Sequence, residues 1–142
     1  MKIMKKISIL TAIMICFVCC FACAKDSDKD GYKTNYKIIA DSLNKQCPTK
    51  IDDNIQLDEV NYVEDSHTLQ YIYSFTAMLK SDNTEDVWKL IESATKEALT
   101  TEFKSQTSVE QFRKDKLNME FVYNDKKNKE SLFTIVLTPG EY

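Results

Sequence analysis

The sequence predicts an α+β fold in which two helix-plus-β-hairpin halves form a four-stranded antiparallel sheet with both helices on one face. Two apolar stripes with helical spacing and two pairs of segments with alternating apolar residues lead to this prediction. They follow one another in the order α-β-β-α-β-β, with a further short helix before the last two strands. The predicted domain spans residues 32–142, and about 110 residues can bury a core without disulfides or a metal.

The first half begins with a helix from Tyr32 that Pro48 ends, because the residue before a proline is disfavoured in helical conformation. Two strands follow at 55–63 and 68–79, and a polar turn over 64–67 joins them into an antiparallel hairpin. The apolar stripe of the helix consists of Tyr36, Ile39, Ala40, Leu43 and Cys47.

In the second half, Asn83 or Thr84 caps another helix, and a short helix is predicted after Thr107. The chain then forms a second hairpin from strands at 117–123 and 133–137. This layout is similar to the two-layer domains of beta-lactamase-inhibitor-protein-like modules and of many small envelope proteins, which by itself assigns no function. The predicted buried stripe of the second helix consists of Val87, Leu90, Ile91, Ala94 and Ala98.

Residues 1–22 have the features of a signal peptide. Three lysines open the chain, and the stretch from Ile7 to Ala24 then contains no charge, with small residues at its end. A basic start, an apolar run and a small-residue cleavage site are typical of exported proteins.

The end of this run, Phe21-Ala22-Cys23, resembles the lipobox of bacterial lipoproteins, although Cys20 stands where such motifs carry Leu or Val. The acidic segment after it, Ala24–Asp30, resembles the export tag of surface lipoproteins of Bacteroidetes. The resemblance implies that the Cys23 thiol is acylated and that residues 23–31 tether the domain to a membrane. It further implies a lipid-anchored protein of the cell envelope, at the outer membrane or cell surface.

Two other outcomes are compatible with the same residues. Ala22-Cys23-Ala24 is also an A-x-A site, so cleavage after Ala24 would release a soluble secreted protein. The apolar run is close to the ~20 residues that span a bilayer, so an uncleaved anchor is the third alternative.

Composition argues against cofactor and metal sites. The chain has two glycines, too few for a glycine-rich phosphate loop, and one histidine, His67, too few for a multi-histidine metal site. Asp26–Gly31 matches the opening of a calcium loop, but Lys37 occupies the twelfth position, where a bidentate carboxylate is required. No cofactor and no metal are therefore predicted. Four of the five cysteines lie in the leader or at its cleavage site and are not metal ligands: Cys16, Cys19, Cys20 and Cys23.

Charge argues against nucleic acid as a partner. The leader holds three of the 19 basic residues and none of the 22 acidic ones, so the mature chain has a net charge of −6. Nucleic-acid binding depends on cations that neutralise phosphates. The basic run Lys126–Lys129 is interpreted as a solvated hairpin tip that protects a strand edge.

Few residues are candidates for a functional site. His67 lies in a turn with Asp65 and Ser66 and is interpreted as an exposed loop residue, with catalysis as the alternative. Cys47, the one unmodified thiol of the mature chain, is interpreted as a small core residue or a site of intermolecular pairing. The possible binding surface is formed by three tyrosines that no apolar stripe requires: Tyr32, Tyr62 and Tyr142.

The sequence thus favours a non-catalytic binding or accessory module that is lipid-anchored at the cell envelope, with a protein or glycan partner. One alternative is a secreted or periplasmic protein inhibitor that uses one face of its sheet. Another, from a different class, is a small hydrolase that uses His67 with nearby carboxylates.

Overall fold

The computed structural model describes residues 31–142, with side chains described from Asn35 onward. Short 3₁₀ turns at Lys80–Asp82 and Thr107–Val109 flank the second helix. In chain order the elements are α1 (Gly31–Asn44), β1 (Thr49–Lys50), β2 (Ile55–Val63), β3 (Thr68–Phe75), α2 (Glu85–Ser105), α3 (Glu110–Lys114), β4 (Asn118–Asn124) and β5 (Ser131–Leu137).

The described residues form a five-stranded sheet in the order β1-β2-β3-β4-β5. The α+β class is confirmed, but the expected four-stranded antiparallel sheet is wrong in two respects. The short strand β1 pairs with β2 and adds a fifth strand. The two central strands, β3 and β4, run parallel, whereas the other pairs are antiparallel.

The helix between the central strands explains why they are parallel. At 1.5 Å per residue, the 21 residues of α2 extend about 31 Å, which returns the chain to the end of the sheet where β3 began. A strand that starts there runs in the same direction as β3, and parallel neighbours require such a crossover. The predicted extension of β3 to Leu79 is also wrong. Its partner β2 begins at Ile55, which pairs with Phe75, so β2 offers no strand residue to pair with the chain after Phe75.

Helix α1 packs on β2 through the predicted residues. Tyr36, Ala40 and Leu43 are buried, which confirms most of the stripe. The helix ends at Asn44, earlier than Pro48, and the Asn44 side-chain oxygen accepts a hydrogen bond of 2.9 Å from the backbone N–H of Val60. The bond attaches the end of α1 to β2.

Helix α2 buries a different face from the one predicted. Trp88, Leu99 and Phe103 are its buried residues. Of the predicted stripe, Ile91 packs against the core, but Leu90 is 70% exposed and Val87 is 39% exposed. The face is rotated by about one residue, or 100° around the helix.

Both long helices lie on the same face of the sheet. Tyr36 of α1 contacts Tyr62 of β2, and Phe103 of α2 contacts Phe121 of β4. The strand register places Tyr62 and Phe121 on the same face of the sheet. The centre of that face consists of Leu69, Tyr71, Tyr73, Met119, Phe121, Tyr123, Phe133 and Ile135.

Candidate functional site

A group of polar and aromatic side chains, here the His67 cluster, lies beside the turn between β2 and β3. It comprises Tyr36 on α1, Tyr62 at the end of β2, His67 in the turn and Asp115 after α3. The Tyr62 hydroxyl lies 2.7 Å from His67 Nδ1, and His67 Nε2 lies 2.8 Å from the backbone oxygen of Asp115. The Tyr36 hydroxyl donates a 2.7 Å hydrogen bond to the Asp115 carboxylate.

These hydrogen bonds determine which atoms of the His67 cluster donate and which accept. A carbonyl oxygen only accepts, so His67 Nε2 carries a hydrogen, and in the neutral ring Nδ1 then accepts from Tyr62. The carboxylate that could orient a catalytic histidine bonds instead to Tyr36 and, at 2.8 Å, to Gln111. Burial, followed by the bond to Asp115, raises the pKa of Tyr36 above its usual value. Such contacts join the β2–β3 turn to α1 and α3.

His67 differs from its predicted environment. It is half-buried rather than exposed, and its φ of 48° lies in the left-handed region. The aromatic rings of Tyr36 and Tyr62 stand edge-on to the imidazole at 5.6 and 5.8 Å. The His67 side chain is directed toward Tyr62 and Asp115, which are the hydrogen-bond partners of its two ring nitrogens.

A second polar group, here the Lys129 clip, connects the β4–β5 hairpin to β2 and β3. The Lys129 ammonium lies 2.9 Å from the Asp58 carboxylate and 2.7 Å from the Ser74 hydroxyl oxygen. Ser74 donates to the same carboxylate, and Gln56 donates to its other oxygen at 2.7 Å. Lys129 therefore folds back onto the sheet, whereas Lys126, Lys127 and Asn128 are exposed at the hairpin tip, as the sequence suggested.

Serine beside lysine is a pair found in some hydrolases, where an uncharged lysine serves as the base. Here Lys129 is ion-paired with Asp58, and the Ser74 hydroxyl already donates its hydrogen to the same carboxylate. Burial raises the pKa of Asp58, but hydrogen bonds from Ser74, Lys129 and Gln56 outweigh it and leave the pKa below its usual range. Since Ser74 is itself 4% exposed, the arrangement favours a structural role.

Cys47 follows α1 and packs, half-buried, against the core, as predicted. Its Sγ lies 3.5 Å from the backbone oxygen of Leu43. Burial, followed by the negative charges of Asp58 and Glu59, raises the pKa of the thiol. The thiolate is the reactive form, so this environment disfavours a nucleophilic role.

An open groove of about 630 Å³ lies where the β3–α2 connection meets the β4–β5 hairpin. Two lysines and one carboxylate border it. Its lining consists of Ala77, Leu79, Asp82, Lys126 and Lys127.

Two of the three tyrosines proposed as a binding surface, Tyr62 and Tyr142, are not exposed. Tyr142 is 4% exposed, and its hydroxyl donates a 2.6 Å bond to the backbone oxygen of Leu117, so its surface assignment is wrong. Tyr62 is half-buried in the His67 cluster. Tyr32 lies in α1, but its side chain is outside the described part of the chain.

The sheet face opposite the helices, here the outer face, carries side chains from four strands. On the same side, at the corner next to β1, lie the Lys129 clip and the exposed Lys50, which pairs in register with Gln56. The outer face is defined by Glu59, Asn61, Gln70, Ile72, Glu120, Val122, Thr134 and Val136.

The leader, the tether and Cys23 lie outside the described residues, as does most of the calcium-like segment 26–31. Within residues 31–142, no helix has the length and apolar character needed to cross a bilayer. Among the same residues, no group of three or more His, Cys, Asp or Glu side chains is arranged to hold a metal ion.

A family model described as a domain of unknown function, DUF8479, matches residues 30–133. The chain belongs to this family. No curated protein matches the chain. A crystal structure of a putative secreted protein from Pseudomonas aeruginosa has a TM-score of 0.60 and 14% identity, and the match covers 82% of this chain and 98% of that one. At this identity the similarity shows that the fold of the DUF8479 domain is shared, and nothing more.

Sequence reasoning missed the two polar clusters of the DUF8479 domain because their members are far apart in the chain. His67 and Asp115 are 48 residues apart, and Lys129 and Asp58 are 71 apart. A local signal was present only in part: Ser66, His67 and Asp65 have the composition of a turn.

Proposed function

We propose that this protein is an exported, lipid-anchored and non-catalytic binding or accessory module of the cell envelope. The observation that carries the proposal is the uncharged stretch from Ile7 to Ala24, with Cys23 near its end behind a small residue. Acylation at Cys23 would give an anchor with more than one chain, and two chains hold a protein stably on a bilayer where one gives only marginal binding.

The organisation of the chain supports export and tethering. The family match starts at residue 30, so the leader and the acidic segment precede the DUF8479 domain. The structural neighbour from Pseudomonas aeruginosa is described as a putative secreted protein. Seven residues separate Cys23 from Gly31, and an extended segment of this length reaches about 25 Å at most. The domain would therefore stay close to the membrane surface.

The chemistry of the described side chains supports a non-catalytic role. The His67 ring nitrogens bond to Tyr62 and to a backbone oxygen, and these bonds attach the β2–β3 turn to the rest of the domain. Lys129 is ion-paired with Asp58, and burial raises the pKa of the Cys47 thiol. None of these groups has the environment of a general base or an activated nucleophile.

The test is metabolic labelling with an alkyne-modified palmitate in the native cell. We expect the wild-type protein and Cys47→Ser to incorporate the label, and Cys23→Ser to lose it. Cys47→Ser is the matched control because it removes the other cysteine of the mature chain. Equal labelling of Cys23→Ser and wild type, or no labelling of either, would contradict the lipid anchor and favour soluble secretion.

A further inference from the structure

We propose that the outer face is the docking surface of this module and that its partner is a protein with a basic surface around an apolar centre. The inference rests on the proposed function, a binding module, and specifies where it binds and what kind of partner it takes. Three features of the outer face lead to it: its apolar centre, its acidic residues and its position opposite the helices.

The centre of the outer face is apolar. Ile72 of β3 and Val122 of β4 are direct neighbours in register, and both are half-buried. Val136 of β5 adds an apolar side chain that is 42% exposed. Neither α1 nor α2 contacts this side of the sheet, so burying these side chains requires a partner from outside residues 31–142. Burial of apolar surface stabilises an interface by about 25 cal/mol per Å².

The charges beside this centre are negative. Glu59 pairs in register with Ile72, and Glu120 pairs with Gln70 and Val136. The Gln70 amide donates a 2.6 Å bond to the Glu120 carboxylate, which fixes its position on the face. The two glutamates lie on strands two places apart, about 10 Å in the hydrogen-bonding direction. Two lysines lie at the β1 corner of this side: Lys129, whose ammonium pairs with Asp58, and Lys50, which is three strands away from Glu120.

Charge complementarity selects a basic partner over a second copy of this chain. Two outer faces in contact would place four glutamates, Glu59 and Glu120 of each copy, in one interface, where like charges close together cost several kcal/mol. Nucleic acids and other polyanions are disfavoured for the same reason. A matching partner has apolar side chains opposite Ile72 and Val122. Around them it has lysine or arginine side chains that face the two glutamates.

The experiment is calorimetric titration of the mature protein, purified from its membrane in a nonionic detergent. Two basic proteins, lysozyme and cytochrome c, are the probes, and α-lactalbumin is the acidic control. At an ionic strength of about 50 mM, where exposed charges are weakly screened, we expect at least one basic protein to bind and α-lactalbumin not to bind.

Two pairs of variants locate the binding surface. We expect Glu59→Lys with Glu120→Lys to weaken binding by about tenfold or more, because charges at a docking surface control association. The matched control, Asp41→Lys with Glu97→Lys, makes the same change of net charge on the exposed side of the helices and should alter affinity by less than about twofold. Val122→Thr, which keeps the shape of the side chain, should weaken binding, whereas Val87→Thr on α2 should not.

Two results would overturn the proposal: binding to neither basic protein, or an equal loss in the outer-face and control variants. Thermal unfolding of each variant verifies that it is folded. The intact mass of the same preparations reports the lipid anchor separately, so failure of the docking surface and failure of the anchor are distinguishable.

Discussion

At the scale of single residues, the Tyr73 hydroxyl stands out within the described chain because it is buried and has no hydrogen-bond partner. The side chain is 1% exposed and stacks on Tyr123 at 5.2 Å. Burial raises the pKa of this group well above its usual value, so it stays uncharged. A buried hydroxyl without a partner costs free energy that the aromatic contacts must offset.

We expect Tyr73→Phe to raise the free energy of unfolding by about 1 kcal/mol, since it removes the unpaired hydroxyl and keeps the ring. Urea denaturation of the variant and the wild type measures the difference. The control is Tyr142→Phe, which removes a hydroxyl bonded to Leu117 and should destabilise. A less stable Tyr73→Phe would contradict the prediction and would mean that the hydroxyl has a partner in solution.

The Lys129 clip predicts a dependence of stability on pH. The pKa of Asp58 lies below its usual value in the folded protein, so its carboxylate stabilises the fold above the unfolded pKa, near pH 4. That contribution is lost as the pH falls through the folded pKa. Asp58→Asn should therefore lower the free energy of unfolding by about 1 kcal/mol at pH 7 and by less at pH 3, as measured by urea denaturation.

The exposed Asp65→Asn in the β2–β3 turn is the matched control and should change stability little at either pH. The prediction would be wrong if Asp58→Asn differed from the wild type equally at pH 7 and pH 3.

At the scale of elements, the sequence predicts strands better than the faces of helices. Alternating residues identified β2, β3, β4 and β5 because a half-buried strand must alternate. In α2 two stripes compete, and the structure buries the one with the larger side chains, Trp88, Leu99 and Phe103. Aromatic side chains and leucine bury more apolar area than the alanines of the predicted stripe, so their face turns inward.

The corrected face gives a direct comparison of two leucines on α2. Leu99→Ala should cost about 2–5 kcal/mol because Leu99 is 2% exposed. Leu90→Ala should cost no more than about 0.5 kcal/mol because Leu90 is 70% exposed. Both values come from the midpoints of denaturant unfolding. A larger cost for Leu90→Ala than for Leu99→Ala would contradict the observed buried face and favour the stripe predicted from the sequence.

Pairings between distant elements could not be predicted. The parallel contact of β3 with β4 depends on where α2 returns the chain, and alternation within either strand does not show it. Strand β1 has two residues, Thr49 and Lys50, too few for a pattern. Likewise His67 meets Asp115 only because α3 ends beside the β2–β3 turn.

At the scale of the whole molecule, the two faces of the sheet differ in composition. One face holds the core beneath α1 and α2, and the outer face presents Glu59 and Glu120 around Ile72 and Val122. In the proposed function, the segment before Gly31 attaches this DUF8479 domain to the membrane. The acidic outer face is then the surface available for a basic protein.

The most direct test of the central proposal is the intact mass of the protein purified from its native membrane, measured beside Cys23→Ser. We expect the mass of a chain that begins at Cys23 and carries acyl groups, and we expect Cys23→Ser to lack them. A chain that begins at Lys25 without lipid would contradict the anchor, and the protein would then be a soluble secreted module.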